Sequence, residues 1–222
     1  MRGHFITFEG GEGTGKSTHV RLLAQRLQAE GVDVVVTREP GGSVGAEVIR
    51  HVILSGAAEP FGPDAEAILF AAARDDHLNE TIRPALARGA WVICDRFADS
   101  TRVYQGVLGR VDRKLIRALE RVVVGPDRPD LTFVLDVPAG LGMERAAARR
   151  GAQSADRFEA ETMEFHTALR EAFCALAAEE CDRCVLIDST QPSADVAARI
   201  WAEVGSRFLP PQRAAEPRKV AS

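Results

Sequence analysis

A glycine-rich stretch near the N-terminus combines a lysine and a hydroxyl group at a spacing suited to binding phosphate. Residues 10–17 read GGEGTGKS and fit the pattern G-x-x-x-x-G-K-[ST]. Glycines let consecutive backbone N–H groups face phosphate oxygens, Lys16 adds a full positive charge, and Ser17 offers a hydroxyl to a magnesium ion. The stretch predicts a loop that binds a nucleoside triphosphate. The predicted contacts are Gly10, Gly11, Glu12, Gly13, Thr14, Gly15, Lys16, Ser17 and Thr18.

The segments around this loop have the patterns that its chemistry needs. Residues 4–9 form an apolar run typical of a short buried strand, and residues 18–30 repeat apolar side chains at the helical period. The helix start would add its partial positive charge at the phosphates. A glycine turn without a ligand is the alternative, and the order strand, loop, Lys-Ser and helix argues against it.

Two further motifs follow apolar runs that read as strands. Asp95 and Arg96 follow residues 91–94, and TREPGG occupies residues 37–42. Because ligands of parallel sheets bind beyond the carboxyl ends of strands, we expect both motifs to face the crevice that holds Lys16. A carboxylate there can hold magnesium, and a guanidinium can span two phosphates. A surface ion pair and an ordinary turn are the alternatives.

Phe70 and Arg74 lie four residues apart on a predicted helix and therefore share a face. An aromatic ring beside a guanidinium can stack on a nucleobase and donate to its carbonyl oxygen. On spacing alone, the favoured alternative is a core phenylalanine and a solvated arginine that pairs with Glu66.

The apolar runs predict the fold class. Their residues are 4–9, 33–37, 91–94, 131–136 and 185–188. They are continuously apolar and separated by helical patterns, which predicts an α/β fold with a five-stranded parallel sheet covered on both faces. Long helices are predicted at 65–88 and 158–179. Gly31 is expected to end the first helix of the chain, and Gly89 is expected to end the helix that precedes Trp91.

The length of 222 residues suits one domain, expected at 1–208, with a fraying tail at 209–222. Residues 145–159 are rich in Ala and Arg, which predicts a small lid, with a solvated helix end as the alternative. The net charge of −4 gives no support to nucleic-acid or membrane binding, and no apolar run could span a bilayer. The chain enters a strand almost at once, so we expect a cytoplasmic protein without a signal peptide. The pair Cys181 and Cys184 lacks a second pair that would complete a metal site, and we interpret these residues as core or surface thiols.

Together the motifs resemble those of the thymidylate kinase family, in its bacterial branch. They read FEGGEGTGKST, TREPGG, LFAAARDDH, ICDRFADSTRVYQG, RPDLTFVLDV, ADRFE and IDSTQP, in family order. The resemblance implies a P-loop kinase fold, transfer of a phosphoryl group from ATP to dTMP, a Mg²⁺ ion and a homodimer. It implies dTMP contacts from Glu12, Arg38, Phe70, Arg74, Arg96, Thr101, Tyr104 and Gln105. It implies magnesium contacts from Ser17, Asp95 and Glu9.

The same resemblance assigns roles around the two nucleotides. Arg38 and Arg96 would hold the dTMP phosphate, Glu12 would face the sugar 3′-hydroxyl, and Tyr104 would crowd the 2′ position. Phe70 would stack on thymine and Arg74 would donate to its carbonyl oxygen. Thr101 and Gln105 would face the base edge.

Gly13 stands where one branch of the family carries a catalytic arginine, so the lid would supply the positive charge. Arg145 would stack on adenine, and Arg149 or Arg150 would reach the transferred phosphoryl group. The implied catalytic residues are Lys16, Arg96, Asp95, Arg149 and Arg150. Arg183 and Arg199 match no motif, and we expect them on the solvated surface.

Three alternatives stay open from the sequence. The nearest is a kinase for dUMP, UMP or CMP. A GTPase switch would carry an N-K-x-D stretch, whereas residues 135–138 read LDVP at the comparable place. A nucleic-acid-dependent ATPase would need a basic patch with aromatic residues.

Overall fold

The computed structural model describes residues 2–151 and 157–209. Its strands are β1 (Phe5–Glu9), β2 (Val34–Arg38), β3 (Trp91–Asp95), β4 (Leu131–Asp136) and β5 (Cys184–Asp188). All neighbours pair in parallel, in the order β2-β3-β1-β4-β5. The predicted fold class and the positions of the strands are therefore confirmed.

Helices connect these strands. They are α1 (Lys16–Ala29), α2 (Val44–Leu54), α3 (Gly62–His77), α4 (Arg83–Ala87), α5 (Ala98–Thr101), α6 (Arg113–Val123), α7 (Ala139–Arg150), α8 (Met163–Glu179) and α9 (Ser193–Phe208). Gly31 and Gly89 have φ angles of 84° and 91° just after α1 and α4, the left-handed conformation expected where a helix ends in glycine.

The two long predicted helices differ from the structure. The helix predicted at 65–88 is divided by a π-helical turn at Leu78–Ile82. Pro84 has no N–H and its ring crowds the carbonyl four residues earlier, which favours this wider turn. The helix predicted at 158–179 begins at Met163, because the Thr162 hydroxyl caps it by accepting from the Phe165 N–H.

Helices cover both faces of the sheet, which explains the continuous apolar runs. Ile6 and Phe8 of β1 pack with α1 and α9, whereas Phe5 faces the opposite side and packs with Leu86 and Phe97. Successive residues of a strand point to opposite faces, so both sets must be apolar.

The topology places a crevice between β1 and β3. From β1 the chain crosses over β3 to β2 at one edge of the sheet. From β3 it crosses over β1 in the opposite direction, to β4. Ligands of open α/β sheets bind at such a switch point. Asp95, at the end of β3, lies opposite Phe8 of β1 and Arg38 of β2.

The ends of the chain and the predicted lid are described in part. Residues 145–150 of the predicted lid continue α7, and residues 152–156 lie outside the described residues. Leu209 packs against the core, and the rest of the predicted tail, 210–222, also lies outside them. In the described part of the chain, no helix is long and apolar enough to cross a bilayer.

The surface role predicted for Arg183 is wrong. Its side chain is 17% exposed and its guanidinium donates to both carboxylate oxygens of Asp99, at 2.7 and 2.8 Å. Asp99 is itself buried at the start of α5, 84 positions away in sequence. Arg199 is 64% exposed beside Glu203, as expected for a surface residue.

Candidate active site

A cavity of about 300 Å³ lies at the carboxyl end of the sheet. It brings together most of the residues selected from the sequence. These are Glu12, Gly13, Gly15, Lys16, Ser17, Arg38, Phe70, Arg74, Asp95, Arg96, Thr101, Tyr104, Gln105 and Arg149. The predicted residues that are not part of its wall are Glu9, Gly10, Gly11, Thr14, Thr18, Arg145 and Arg150.

The glycine-rich loop forms one end of this cavity. Gly13 and Gly15 have φ angles of 66° and 93°, which side chains disfavour. The buried Lys16 ammonium donates to the carbonyl oxygens of Gly10 and Gly11, at 3.1 and 2.6 Å. Burial and the nearby Arg96 lower the pKa of Lys16 to about 8. The loop thus curls around a cation placed at its centre.

Arg96 connects this loop with the strand beside it. Its φ angle is 68°, an uncommon value for a non-glycine residue, and its N–H donates to the Phe8 carbonyl at 2.8 Å. The guanidinium donates to Glu12 Oε1 at 2.5 Å and to the Gly10 carbonyl at 2.9 Å. Such a conformation occurs where the surroundings hold it, often at functional sites.

Glu12 carries a stable negative charge in the middle of the cavity. Burial alone would raise its pKa, but Arg96 and Lys16 outweigh this effect and lower the pKa to about 2. The Tyr104 hydroxyl also donates to Glu12 Oε1, at 3.3 Å, and the Arg96 guanidinium lies 5.4 Å from the centre of the Tyr104 ring. Glu12, Arg96 and Tyr104 therefore form one connected group.

Ser17 and Asp95 place two hard oxygen ligands side by side. The Ser17 hydroxyl donates to Asp95 Oδ2 at 2.5 Å, and both residues line the cavity. Within the described residues, no group of three or more His, Cys, Asp or Glu could hold a metal ion. This arrangement fits Mg²⁺, which commonly binds one or two protein oxygens and completes its shell with phosphate and water.

Glu9 is placed differently from the other two predicted metal ligands. It is fully buried, and its carboxylate accepts from the Phe97 N–H at 2.8 Å and from the Ser100 hydroxyl at 2.7 Å. Burial, with Asp99 nearby, raises its pKa to about 7. These contacts fix the backbone that directly follows Arg96.

Phe70 and Arg74 of α3 form the far wall of the cavity. Arg74 is buried; its Nε donates to Glu39 Oε2 at 2.8 Å and its Nη2 to the Thr101 hydroxyl at 3.0 Å. The alternative of a solvated Arg74 paired with Glu66 is therefore excluded, and Glu66 pairs with Arg157 instead. Gln105, also buried, has an Oε1 atom without a hydrogen-bond partner among the described residues.

The other arginines lie around the entrance. Arg38 is 55% exposed and donates to Glu47 Oε1 at 2.8 Å. Arg149 and Arg150 both pair with Glu159, at 3.1 and 2.8 Å, but only Arg149 lines the cavity.

Arg145 lies outside the cavity, on the side of the loop that faces β5. Its guanidinium donates to the Ser189 carbonyl at 2.9 Å. Ser189 directly follows β5, and its hydroxyl donates to the Thr14 carbonyl of the loop. Ser189 therefore connects Arg145, the residue that the resemblance assigns to adenine, with the phosphate loop.

The cavity wall contains residues that the sequence did not single out. They are Glu39, Pro40, Arg50, Leu54, Phe97, Ser100, Phe158 and Glu159. Glu39 and Pro40 belong to TREPGG and Phe97 and Ser100 to the DRF motif, so the motifs carried a signal for them. Arg50 and Leu54 of α2 carried none.

Comparison with known proteins identifies the family. The family described as "Thymidylate kinase" matches residues 8–200. The chain belongs to the thymidylate kinase family. It is 59% identical over 209 residues to a thymidylate kinase of Nitrobacter winogradskyi, covering 94% of this chain and 91% of that protein. It is 57% identical to one from Bradyrhizobium diazoefficiens, with coverages of 94% and 92%.

A solved structure agrees with this family assignment. The crystal structure of thymidylate kinase from Ehrlichia chaffeensis aligns with a TM-score of 0.74 and 32% identity. The alignment covers 92% of this chain and 100% of that one. The family and the fold predicted from the motifs are both confirmed.

Proposed function

We propose that this chain transfers the terminal phosphoryl group of ATP to dTMP, giving ADP and dTDP for dTTP synthesis. The observation that supports this most is a single cavity with two chemically different ends. Lys16 and the glycine loop form one end, and Arg38, Phe70, Arg74 and Arg96 line the rest. Two nucleotides can therefore meet there with their phosphates facing each other.

The acceptor end has the groups that a thymine nucleotide requires. Phe70 offers a flat apolar surface for the base, and Arg74 offers donors for a base carbonyl oxygen. The Oε1 of Gln105, which has no hydrogen-bond partner within residues 2–151 and 157–209, can accept from the base N–H. Tyr104 and Glu12, held together by their hydrogen bond, would face the sugar.

The transfer itself needs positioning and charge rather than a strong base. The dTMP phosphate has a second pKa of about 6, so its attacking oxygen is already anionic at neutral pH. Arg38 and Arg96 would hold this phosphate, and Lys16 would hold the donor phosphates. Arg149, which already faces the cavity, would stabilise the charge that spreads over the transferred group.

A magnesium ion completes this proposal. Ser17 and Asp95 would hold it, and when bound it would neutralise charge on the donor phosphates. Glu9 would not bind the ion directly, because its carboxylate already accepts hydrogen bonds from Phe97 and Ser100. In this proposal Glu9 shapes the loop that carries Arg96.

A homodimer and a cytoplasmic location complete the proposal. Apolar side chains on one face of α2 support the dimer. Val44, Val48 and Val52 are 87%, 64% and 36% exposed at a spacing of four residues, so they form an apolar stripe that the described residues leave uncovered. Light scattering at several protein concentrations tests the dimer. The location stays a prediction.

A coupled assay of ADP release tests the activity. We expect rapid release with dTMP, less with dUMP and little without an acceptor. Release with dCMP should also be low, because Arg74 offers only hydrogen-bond donors and cytosine carries a 4-amino group. Faster turnover of CMP or UMP would instead favour the related monophosphate kinases. ADP release independent of any acceptor would contradict the proposal.

A further inference from the structure

Behind Arg74 lies a row of buried polar side chains that the proposed reaction does not use. Glu39 follows β2, and His77 occupies the last turn of α3. The side chains of Glu39 and His77 are 5% and 0% exposed, and the half-buried Thr37 of β2 lies beside them. Buried polar groups are costly unless they are hydrogen-bonded, so each contact in the row matters for the geometry around it.

The row is continuous from the strand to the cavity. The Thr37 hydroxyl lies 2.7 Å from His77 Nε2, and His77 Nδ1 lies 3.1 Å from Glu39 Oε1. The other Glu39 oxygen accepts from Arg74 Nε at 2.8 Å. A neutral imidazole with its proton on Nδ1 satisfies both neighbours, since it accepts from Thr37 and donates to Glu39.

The arrangement restricts how the Arg74 guanidinium can turn. Glu39 occupies Nε, and Thr101 accepts from Nη2. An arginine side chain has several rotatable bonds, and holding it in one geometry costs conformational entropy unless its partners are fixed. Glu39 is fixed only if its second oxygen also has a partner, and His77 is that partner.

The backbone makes room for this row. A Cβ atom on Gly42 would lie 2.4 Å from both His77 Nε2 and the Thr37 hydroxyl oxygen. Any side chain at Gly42 would therefore separate these two groups. The second glycine of TREPGG thus protects a hydrogen bond that lies behind the cavity.

We propose that His77 is a positioning residue that acts through Glu39 to aim Arg74 at a carbonyl oxygen of the pyrimidine base. The inference rests on the proposed dTMP site. It makes Thr37, His77 and Glu39 determinants of selectivity for a base with a 4-carbonyl group over one with a 4-amino group. An amino group would face the donors of a fixed guanidinium, and this mismatch weakens if Arg74 is free to turn.

The test compares two Thr→Val variants whose hydroxyls both lie near Gly42, one on β2 and one on the π-helical turn. Thr37→Val removes the hydroxyl that contacts His77, whereas Thr81→Val removes one that donates to the Gly42 carbonyl at 2.8 Å. The readouts are the KM for dTMP, the KM for ATP, and the ratio of the inhibition constant of dCMP to the KM for dTMP. A stronger variant, His77→Leu, removes both contacts of the ring.

We expect His77→Leu to raise the KM for dTMP about tenfold and Thr37→Val about threefold, with the dCMP-to-dTMP ratio falling in parallel. The KM for ATP should stay within about twofold, as should all constants of Thr81→Val. His77→Asn, whose side-chain amide can still donate to Glu39, should recover most of the loss.

A double-mutant cycle separates positioning from general loosening. In an Arg74→Ala background, His77→Leu and Thr37→Val should cause no further change in the KM for dTMP. Full additivity, or equal effects of Thr37→Val and Thr81→Val, would overturn the inference. Failure of the wild-type chain to phosphorylate dTMP would instead refute the proposed function. If His77→Leu does not fold, Thr37→Val decides the outcome.

Discussion

Gly13 and Gly142 meet through bare backbone. A Cβ atom on Gly13 would lie 1.9 Å from the Gly142 carbonyl oxygen, and one on Gly142 would lie 2.5 Å from the Glu12 carbonyl oxygen. The phosphate loop and the first turn of α7 are therefore in direct contact. An arginine cannot occupy position 13 in this packing, which agrees with a role for the arginines that α7 itself carries.

The first prediction concerns this contact. Gly13→Ala should reduce kcat/KM for ATP by more than about tenfold, because the loop or α7 must move apart to admit the methyl group. Gly140→Ala is the matched control, since a Cβ there has nothing within 4 Å. Steady-state kinetics with saturating dTMP measure both. Equal activity in the two variants would show that the contact tolerates a side chain.

The second prediction separates two neighbouring arginines. Arg149→Ala should lower kcat by about three decades, a typical value for an arginine that meets the transferred phosphoryl group. Arg150→Ala should have a small effect, because Arg150 pairs with Glu159 but does not line the cavity. Single-turnover rates decide between them. The reverse order would move the catalytic assignment to Arg150.

The third prediction is a pH dependence. Burial and the charge of Arg96 bring the pKa of Lys16 down to about 8, so the ammonium loses its proton as pH rises through this value. ATP binding needs the charged form, and kcat/KM for ATP should therefore fall above about pH 8. Lys16→Arg should lose this falling limb while working more slowly, since a guanidinium stays protonated. A wild-type profile that is flat up to about pH 10 would contradict the shifted pKa.

The fourth prediction concerns the buried pair that the sequence did not reveal. Arg183→Ala should reduce the free energy of unfolding by about 3–5 kcal/mol, because Asp99 would keep a buried charge without its main partner. Arg199→Ala, at an exposed pair, should cost less than about 1 kcal/mol. Urea unfolding measures both. A loss of under about 1 kcal/mol in Arg183→Ala would mean that Arg102, the other partner of Asp99, is sufficient.

The strands and the loop could be predicted because their signals are local. A continuous apolar run identifies a strand buried on both faces, and the glycine-rich loop needs its residues consecutively. Phe70 and Arg74 were correctly paired because one helical turn separates them. The family motifs then supplied the residues from distant segments that spacing alone left undecided.

Other features depend on contacts that no local pattern encodes. Arg183 was predicted on the surface because its partner Asp99 lies on another element. The His77 row was invisible for the same reason, since Thr37, Glu39 and His77 meet only after β2 and α3 pack. Arg149 and Arg150 are adjacent in the sequence, and only the orientation of α7 decides which of the two lines the cavity.

The parallel register of β2 and β3 sets Arg38 directly across from Asp95. In the proposed mechanism, the arginine that would hold the incoming monophosphate and the carboxylate that would hold the magnesium ion are thus partners across one pair of strands, spaced by main-chain hydrogen bonds rather than by loops. Movement of α7 or of the residues at the cavity entrance can change how fast nucleotides enter and leave. Such movement leaves the backbone spacing between Arg38 and Asp95 unchanged, because the strand ladder sets it.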